Sequence, residues 1–126
     1  MTGTILVIDD DQAILSLIED VLDNIGHAIR VFKSPLSAME WTHNNPPASL
    51  ALIDLMMPEI SGEDVIARLH ADDRYSRTPL IVLTASVDGR KVAERLGVAG
   101  CIRKPFDIDE LRDEVERWLE QSARSI

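Results

Sequence analysis

The chain has 126 residues, of which 45% are hydrophobic and 28% charged, and its formal net charge is −9. This composition fits one globular domain and excludes a disordered chain, because the apolar content can supply a core. The acidic balance argues against direct binding to nucleic acid or to an anionic membrane, since such surfaces need clustered Lys and Arg.

The cysteine content and the apolar runs indicate where the protein works. Cys101 is the single cysteine, so no disulfide can form within the chain. No apolar run approaches the roughly 18 residues of a membrane span. The N-terminus also lacks a basic stretch followed by an apolar stretch of signal length. We therefore expect a cytoplasmic protein without a membrane partner.

The first half of the chain predicts two strand–helix pairs followed by a third strand. The run 5–8 is apolar at every position, as in a strand covered on both faces. Apolar residues then recur at helical spacing from Ile14 to Ile25, and Gly26 should end that helix. The next predicted elements are an exposed edge strand at 27–32, a helix at 34–45 with Ser34 as its N-cap, and a buried strand at 50–54.

The second half of the chain continues the same alternation. A loop at 57–62, in which Gly62 is predicted to take a positive φ, leads to a helix at 63–71. The remaining elements are a buried strand at 79–85, a short polar helix at 89–97, a strand at 100–104 and a final helix capped by Asp107. Five strand–helix alternations predict an α/β fold with a parallel sheet and helices on both faces.

Polar side chains gather where the predicted strands end. Asp9 and Asp10 end the first strand, and Asp54, Thr84 and Lys104 end the third, fourth and fifth strands. Because the carboxyl ends of parallel strands share one edge of the sheet, these five side chains should converge there. The repulsion among three carboxylates favours a hard divalent cation such as Mg²⁺. A Lys and a Thr beside a metal-bound carboxylate suit phosphoryl transfer, in which a carboxylate can be the nucleophile.

Four segments of the sequence resemble the signature of the receiver domain of two-component response regulators. The segments, in the family's order and spacing, are ILVIDDD, LIDLMMPEISG, LIVLTAS and IRKPF. The match covers about residues 3–121. It implies a single receiver domain over 1–126, with 122–126 as a tail or the start of a linker. It also implies a flavodoxin-like sheet with the strand order 2-1-3-4-5.

The resemblance assigns catalytic roles to three residues. Asp54 resembles the phosphoacceptor. Lys104 should pair with Asp54 and then with the phosphoryl group, and Thr84 should move its hydroxyl to a phosphoryl oxygen. The bond between Lys104 and Pro105 is expected to be cis, as is common in this family.

The same resemblance assigns Mg²⁺ ligands. Asp10 looks like a direct ligand, and Asp9 looks like a ligand that acts mainly through water. Asp54 and the backbone carbonyl of Met56 complete the implied metal site. Asp11 is better explained as the start of the first helix, because one carboxylate at a helix N-terminus is stabilising.

The implied function is a signalling switch rather than an enzyme in the ordinary sense. A histidine kinase, a phosphotransfer protein or a small phosphodonor would give its phosphoryl group to Asp54, and the domain would catalyse its own phosphorylation and dephosphorylation. An unidentified downstream protein would read the result. The sequence leaves open whether the chain is a stand-alone regulator or part of a longer protein, and whether it forms a homodimer.

Two other functions are weighed against the switch. A pseudo-receiver would bind partners without phosphorylation, but such a module is expected to lack one or more of the five pocket residues, and this chain has them all. A phosphohydrolase that uses an aspartyl phosphate usually needs a second acid two residues after the nucleophile, where this chain has Met56. Family members commonly carry Tyr or Phe at the position of Cys101, so we expect an altered coupling between the pocket and the output surface.

Overall fold

The computed structural model describes residues 3–124. Its strands are β1 (Thr4–Ile8), β2 (Ala28–Phe32), β3 (Leu50–Asp54), β4 (Leu80–Thr84) and β5 (Gly100–Arg103). Its helices are α1 (Gln12–Val21), α2 (Pro35–Asn44), α3 (Gly62–His70), α4 (Gly89–Leu96) and α5 (Ile108–Arg124), with a short 3₁₀ helix at Asp73–Tyr75. Within the described range, no helix has both the length and the apolar character needed to cross a membrane.

The five strands form one parallel sheet in the order β2-β1-β3-β4-β5, which confirms the predicted topology. β3 and β4 are buried at every position, as their unbroken apolar sequences require, whereas β2 at the edge is only partly covered. The strand order changes direction between β1 and β3. The carboxyl ends of these two central strands therefore border the crevice where such sheets bind ligands.

Two hydrophobic clusters, one on each face, sandwich the sheet. Successive residues of β1 belong to different clusters. Ile5 and Val7 pack with α1 and α5, whereas Leu6 and Ile8 pack with α2 and α3. This division follows from the strand geometry, because successive side chains point to opposite faces of a sheet. Both faces are thus covered by helices, as the alternation of elements predicts.

The end of α1 differs from its prediction. The helix stops at Val21, and the prediction that it continues to Gly26 is wrong. After Val21 the backbone changes to tighter bonds between residues three apart, including Ile25 N–H to the Leu22 carbonyl at 3.1 Å. Gly26 lies beyond this turn with a φ of 87°. The apolar spacing continues through the turn because Leu22 is still buried, and periodicity alone therefore overestimates the helix.

The predicted N-caps are confirmed where the structure describes them. Ser34 Oγ accepts the Ser37 N–H at 3.3 Å, and Asp107 Oδ1 accepts the Asp109 N–H at 2.8 Å. At the carboxyl end of the chain, α5 continues to Arg124. The tail predicted for 122–126 therefore begins as helix, while residues 125 and 126 lie outside the described residues.

Candidate functional site

Three carboxylates meet at the carboxyl edge of the sheet. Oxygen atoms of Asp9, Asp10 and Asp54 all lie within 4.8 Å of one another. Asp9 has no exposed surface and Asp54 is 4% exposed, whereas Asp10 faces solvent. The parallel topology brings them together, because Asp9 and Asp10 follow β1 and Asp54 is the last residue of the adjacent β3. The convergence predicted from the sequence is therefore observed for these three residues.

Lys104 provides the positive charge of the pocket. Its Nζ atom lies 2.6 Å from Asp9 Oδ2 and 3.4 Å from Asp54 Oδ1. The sequence prediction named only the pair with Asp54, so the shorter contact with Asp9 was missed. β1 and β5 are not neighbours in the sheet, and only a long side chain can reach from one to the other. Strand topology alone therefore gives no signal for this contact.

The three consecutive aspartates at 9–11 have different surroundings. Asp9 Oδ1 accepts the backbone N–H of Asp11 at 2.9 Å, so both of its oxygens are engaged inside the protein. Asp11 Oδ1 accepts the Ala13 N–H at 2.9 Å and is the N-cap of α1, as predicted. Asp10, which lies between them, is the exposed carboxylate of the pocket. Of the three consecutive carboxylates, Asp9 is thus hydrogen-bonded inside the protein, Asp10 is exposed to solvent, and Asp11 caps helix α1.

Thr84 and Met56 complete the set of residues singled out in the sequence. Thr84 is the last residue of β4 and is buried, and its Oγ1 accepts the Ser86 N–H at 3.1 Å. The hydroxyl proton of Thr84 is not used by that bond and can be donated elsewhere. The Met56 N–H points at Asp54 Oδ1 at 3.3 Å, while the Met56 side chain is 81% exposed.

Gly62 packs against the backbone of Asp54, and its conformation differs from the prediction. It is not among the described glycines with positive φ, so the prediction of a positive φ is wrong. A Cβ at this position would instead lie 2.2 Å from the Asp54 carbonyl oxygen and 2.6 Å from Leu55 Cα. Glycine is therefore required by the close approach of two backbone segments. The sequence shows a glycine at position 62, but it cannot tell whether that glycine is needed for a positive φ or for the close approach of another backbone segment.

Burial and charge shift the proton affinities of the two central groups. Burial, together with the neighbouring Asp9 carboxylate, raises the pKa of Asp54 from 3.8 to about 6, although Lys104 opposes this change. Burial tends to lower the pKa of Lys104, but the hydrogen bond and charge of Asp9 and the charge of Asp54 outweigh it, so that pKa is raised. The pocket thus holds the Lys104 ammonium beside an Asp54 carboxylate that takes up a proton more readily than an ordinary aspartate does.

We expect Asp54→Asn to stabilise the metal-free protein at neutral pH. The folded pKa of Asp54 exceeds its unfolded value, so the wild type loses stability as the pH rises from about 4 through about 6. The variant should gain as much as about 3 kcal/mol in free energy of unfolding near pH 7.5 and little near pH 4. Denaturant unfolding at both pH values measures this. The exposed Asp23→Asn is the control, and an equal gain for Asp54→Asn at both pH values would contradict the prediction.

Cys101 lies on β5, half-buried, beside the start of α4. A Cβ added to Gly89 would lie 2.6 Å from the Cys101 sulfur, so the two residues are closely packed. Burial raises the pKa of the thiol. A cavity of about 430 Å³ adjoins this contact and is lined by residues of the 86–90 segment, α4, β5 and Glu110. Helix α4 therefore lies against a small side chain at the position where the resemblance implies an aromatic ring.

A doubly wound parallel sheet with the strand order 2-1-3-4-5 defines the flavodoxin-like class of α/β domains, and here an acidic pocket lies beside its topological switch point. A family model described as the response regulator receiver domain matches residues 5–116. The chain therefore belongs to the receiver domains of two-component response regulators, and the resemblance read from the four segments is confirmed.

Several proteins are similar to this chain over nearly its whole length. Sporulation initiation phosphotransferase F of Bacillus subtilis is 29% identical over 119 residues, which cover 94% of this chain and 95% of that protein. The transcriptional regulator NtrC of Azospirillum brasilense is 34% identical over 96% of this chain, but the match covers 25% of NtrC. The chain thus corresponds to almost all of one relative and to a quarter of the other.

Solved structures show the same fold. A putative response regulator from Chloroflexus aurantiacus superposes with a TM-score of 0.85 at 26% identity, covering 95% of this chain and 99% of that chain. The chemotaxis response regulator CheY4 of Vibrio cholerae also has a TM-score of 0.85, at 20% identity, and covers 94% and 99% of the two chains. The architecture is therefore retained where few side chains are shared.

Proposed function

We propose that this receiver domain accepts a phosphoryl group on Asp54 in a reaction that requires Mg²⁺. The donor is a phosphohistidine of a histidine kinase or phosphotransfer protein, or a small phosphodonor. The observation that carries this proposal is the cluster of Asp9, Asp10 and Asp54 within 4.8 Å, with Lys104 in contact with two of them. Nucleophile, metal ligands and counter-charge are thus assembled at one point.

The chemistry follows from the side chains of the pocket. A carboxylate oxygen of Asp54 attacks phosphorus, a P–O bond forms, and the P–N bond of phosphohistidine breaks. The imidazole leaves with the electron pair of that bond and takes up a proton from water. The Lys104 ammonium, 3.4 Å from Asp54, can neutralise charge on the transferred oxygens. The Thr84 hydroxyl can donate to one of those oxygens.

The donor set of the pocket fits Mg²⁺. Its atoms are carboxylate oxygens, which hard cations prefer. Asp10 is exposed and available as a direct ligand, whereas both oxygens of Asp9 are already engaged, which suits a role through water. Asp54 and the Met56 carbonyl would complete the site. A bound Mg²⁺ would offset the carboxylate repulsion and stabilise charge on the phosphoryl oxygens.

The direct test is to phosphorylate the protein and to measure its intact mass. The purified protein is incubated with Mg²⁺ and phosphoramidate or acetyl phosphate, and we expect an increment of one phosphoryl group. The increment should disappear in Asp54→Ala and with a chelator, and it should remain in the exposed Asp23→Ala. The absence of any increment in the wild type with every donor would favour the pseudo-receiver, an interaction module that works without phosphorylation.

Mg²⁺ should also raise the thermal stability of the unphosphorylated protein. Its binding relieves the repulsion among the three carboxylates, and a ligand at about 100 times its Kd stabilises the fold by about 2.7 kcal/mol. We expect Asp10→Asn to reduce the Mg²⁺-dependent rise in Tm, with little effect on the Tm of the metal-free protein. Thermal unfolding with and without Mg²⁺ measures both quantities. An unchanged Mg²⁺ response in Asp10→Asn would remove this residue as the direct ligand.

The partners follow from the same proposal. A phosphohistidine protein docks at the carboxyl edge of the sheet, and a downstream protein reads the switched state. The matched relatives include a protein that this chain matches over 95% of its length, called a phosphotransferase, and a DNA-binding regulator that it matches over 25%. Both arrangements, a stand-alone regulator and one domain of a longer protein, are therefore compatible with the proposal.

A further inference from the structure

Helix α4 is attached to the rest of the domain by few contacts. Of its eight residues, all within the described range, Ala93 is the buried one, whereas Val92 and Leu96 are only partly buried. In the described structure its N-cap residue, Asp88, makes no side-chain hydrogen bond to the first turn. A helix of this length is not stable by itself in water, so α4 depends on its packing.

The packing of α4 against the sheet is incomplete. Residues of both α4 and β5 line the cavity of about 430 Å³ that adjoins Cys101. Atoms that face a cavity lose the contacts that a filled interface would give them. Helix α4 is therefore a segment that can open locally while the rest of the domain stays folded.

One ion pair joins α4 to another helix. Arg95 Nη2, in the last turn of α4, lies 3.2 Å from Glu63 Oε1, in the first turn of α3. The other ion pairs of α4 within the described residues join side chains only three or four positions apart. Both Arg95 and Glu63 are about half exposed, so their pair is weak by itself. It matters here because α4 has few other contacts.

The α3 end of this ion pair is packed against the backbone of Asp54. Glu63 follows Gly62, whose N–H donates to the Leu55 carbonyl at 3.2 Å. A Cβ at Gly62 would lie 2.2 Å from the Asp54 carbonyl oxygen, so no free space separates the start of α3 from Asp54. A shift of the Asp54 backbone must therefore also move the first turn of α3, and Glu63 with it.

We propose that the ion pair between Glu63 and Arg95 couples the state of the Asp54 pocket to the docking of α4. While the pair is formed, α4 is held against α3. When phosphorylation of Asp54 moves the first turn of α3, the pair weakens and α4 opens more often. The inference rests on the proposed function, because it concerns how phosphorylation at that site is transmitted to another helix.

The test is a double-mutant cycle in the full chain, made of Glu63→Gln, Arg95→Gln and the double variant. Amide hydrogen exchange over residues 92–96 measures how often α4 opens. Without phosphorylation, we expect each single variant to exchange about twofold to fivefold faster than the wild type, and the double variant to be no faster than the faster single variant. Arg90→Gln, on the same helix but without a contact to α3, is the matched control and should change the exchange less than about twofold.

The response to phosphorylation distinguishes coupling from a merely structural role. With Mg²⁺ and phosphoramidate, exchange over 92–96 should become about twofold to fivefold faster in the wild type and less than about twofold faster in Arg95→Gln, in which the pair is already lost.

Three results would overturn the inference. They are additive effects of the two single variants, no faster exchange in the phosphorylated wild type, and an equal response to phosphorylation in the wild type and in Arg95→Gln. A wild-type protein that takes up no phosphoryl group would instead defeat the proposed function, and the cycle on the unphosphorylated proteins would still decide whether the pair holds α4.

Discussion

Replacing Lys104 with methionine should lower the free energy of unfolding by about 3 kcal/mol at neutral pH. The Lys104 ammonium is the cation that contacts both Asp9, which is completely buried, and Asp54, which is nearly so. Methionine is similar to lysine in length and fills the same space, so the change in the free energy of unfolding measures mainly the loss of the ammonium charge. Removing one partner of a buried pair leaves the other charge uncompensated, and here two carboxylates would be left. The Lys104 side chain is 21% exposed, which limits the loss to the lower part of the range for buried pairs.

Two further variants make this prediction specific. Lys91→Met removes an 82% exposed ammonium and should change stability by no more than about 0.5 kcal/mol. The double variant Asp9→Asn with Lys104→Met should recover part of the loss, because it removes the carboxylate that Lys104 neutralises. Denaturant unfolding of the wild type, Asp9→Asn, Lys104→Met and the double variant gives the coupling energy. A Lys104→Met protein as stable as Lys91→Met would mean that the pocket tolerates its carboxylates without this ammonium.

Replacing Gly62 with alanine should be comparably damaging, for a steric reason. The added Cβ would meet the Asp54 carbonyl oxygen at 2.2 Å and the Leu55 backbone at 2.6 Å, and neither backbone atom can rotate away. We expect a loss of about 3 kcal/mol or more in free energy of unfolding. The displaced backbone carries Asp54, the proposed phosphoacceptor, so the rate of phosphorylation should also fall at least about tenfold.

Gly100→Ala is the matched control for this prediction. The three atoms nearest to a Cβ at Gly100 are side-chain atoms of Ile81 and Trp118, at 3.4 Å, the lower limit of ordinary van der Waals contact. Its Tm should therefore remain close to that of the wild type. If Gly62→Ala were as stable and as readily phosphorylated as Gly100→Ala, the close approach at Asp54 would not restrict residue 62.

The fold was predictable because its signals are local and repeated. The unbroken apolar runs of β3 and β4 identify buried parallel strands, and the alternation with helices leaves few topologies. The end of α1 was not predictable in the same way. Leu22 and Ile25 keep the apolar spacing of a helix, but they pack from a turn of tighter hydrogen bonds. Apolar periodicity shows which residues are buried, and a buried residue can belong to a turn as well as to a helix.

The site was predictable as a gathering of residues, but its internal contacts were not. Topology places Asp9, Asp10 and Asp54 at one edge whatever their rotamers. The choice of Lys104 between Asp9 and Asp54 depends on side-chain reach, and the need for Gly62 depends on the distance between two backbone segments. Such features arise only once the chain is folded.

The contact between Lys104 and Asp9 joins residues that are 95 positions apart. It links the first strand of the sheet to the segment that follows the last strand. During synthesis, a chain that ends before β5 would have to bury Asp9 without its cation, which is unfavourable. The pocket should therefore form late and together with the whole sheet, so that folding is cooperative and an incomplete chain lacks the proposed phosphorylation site.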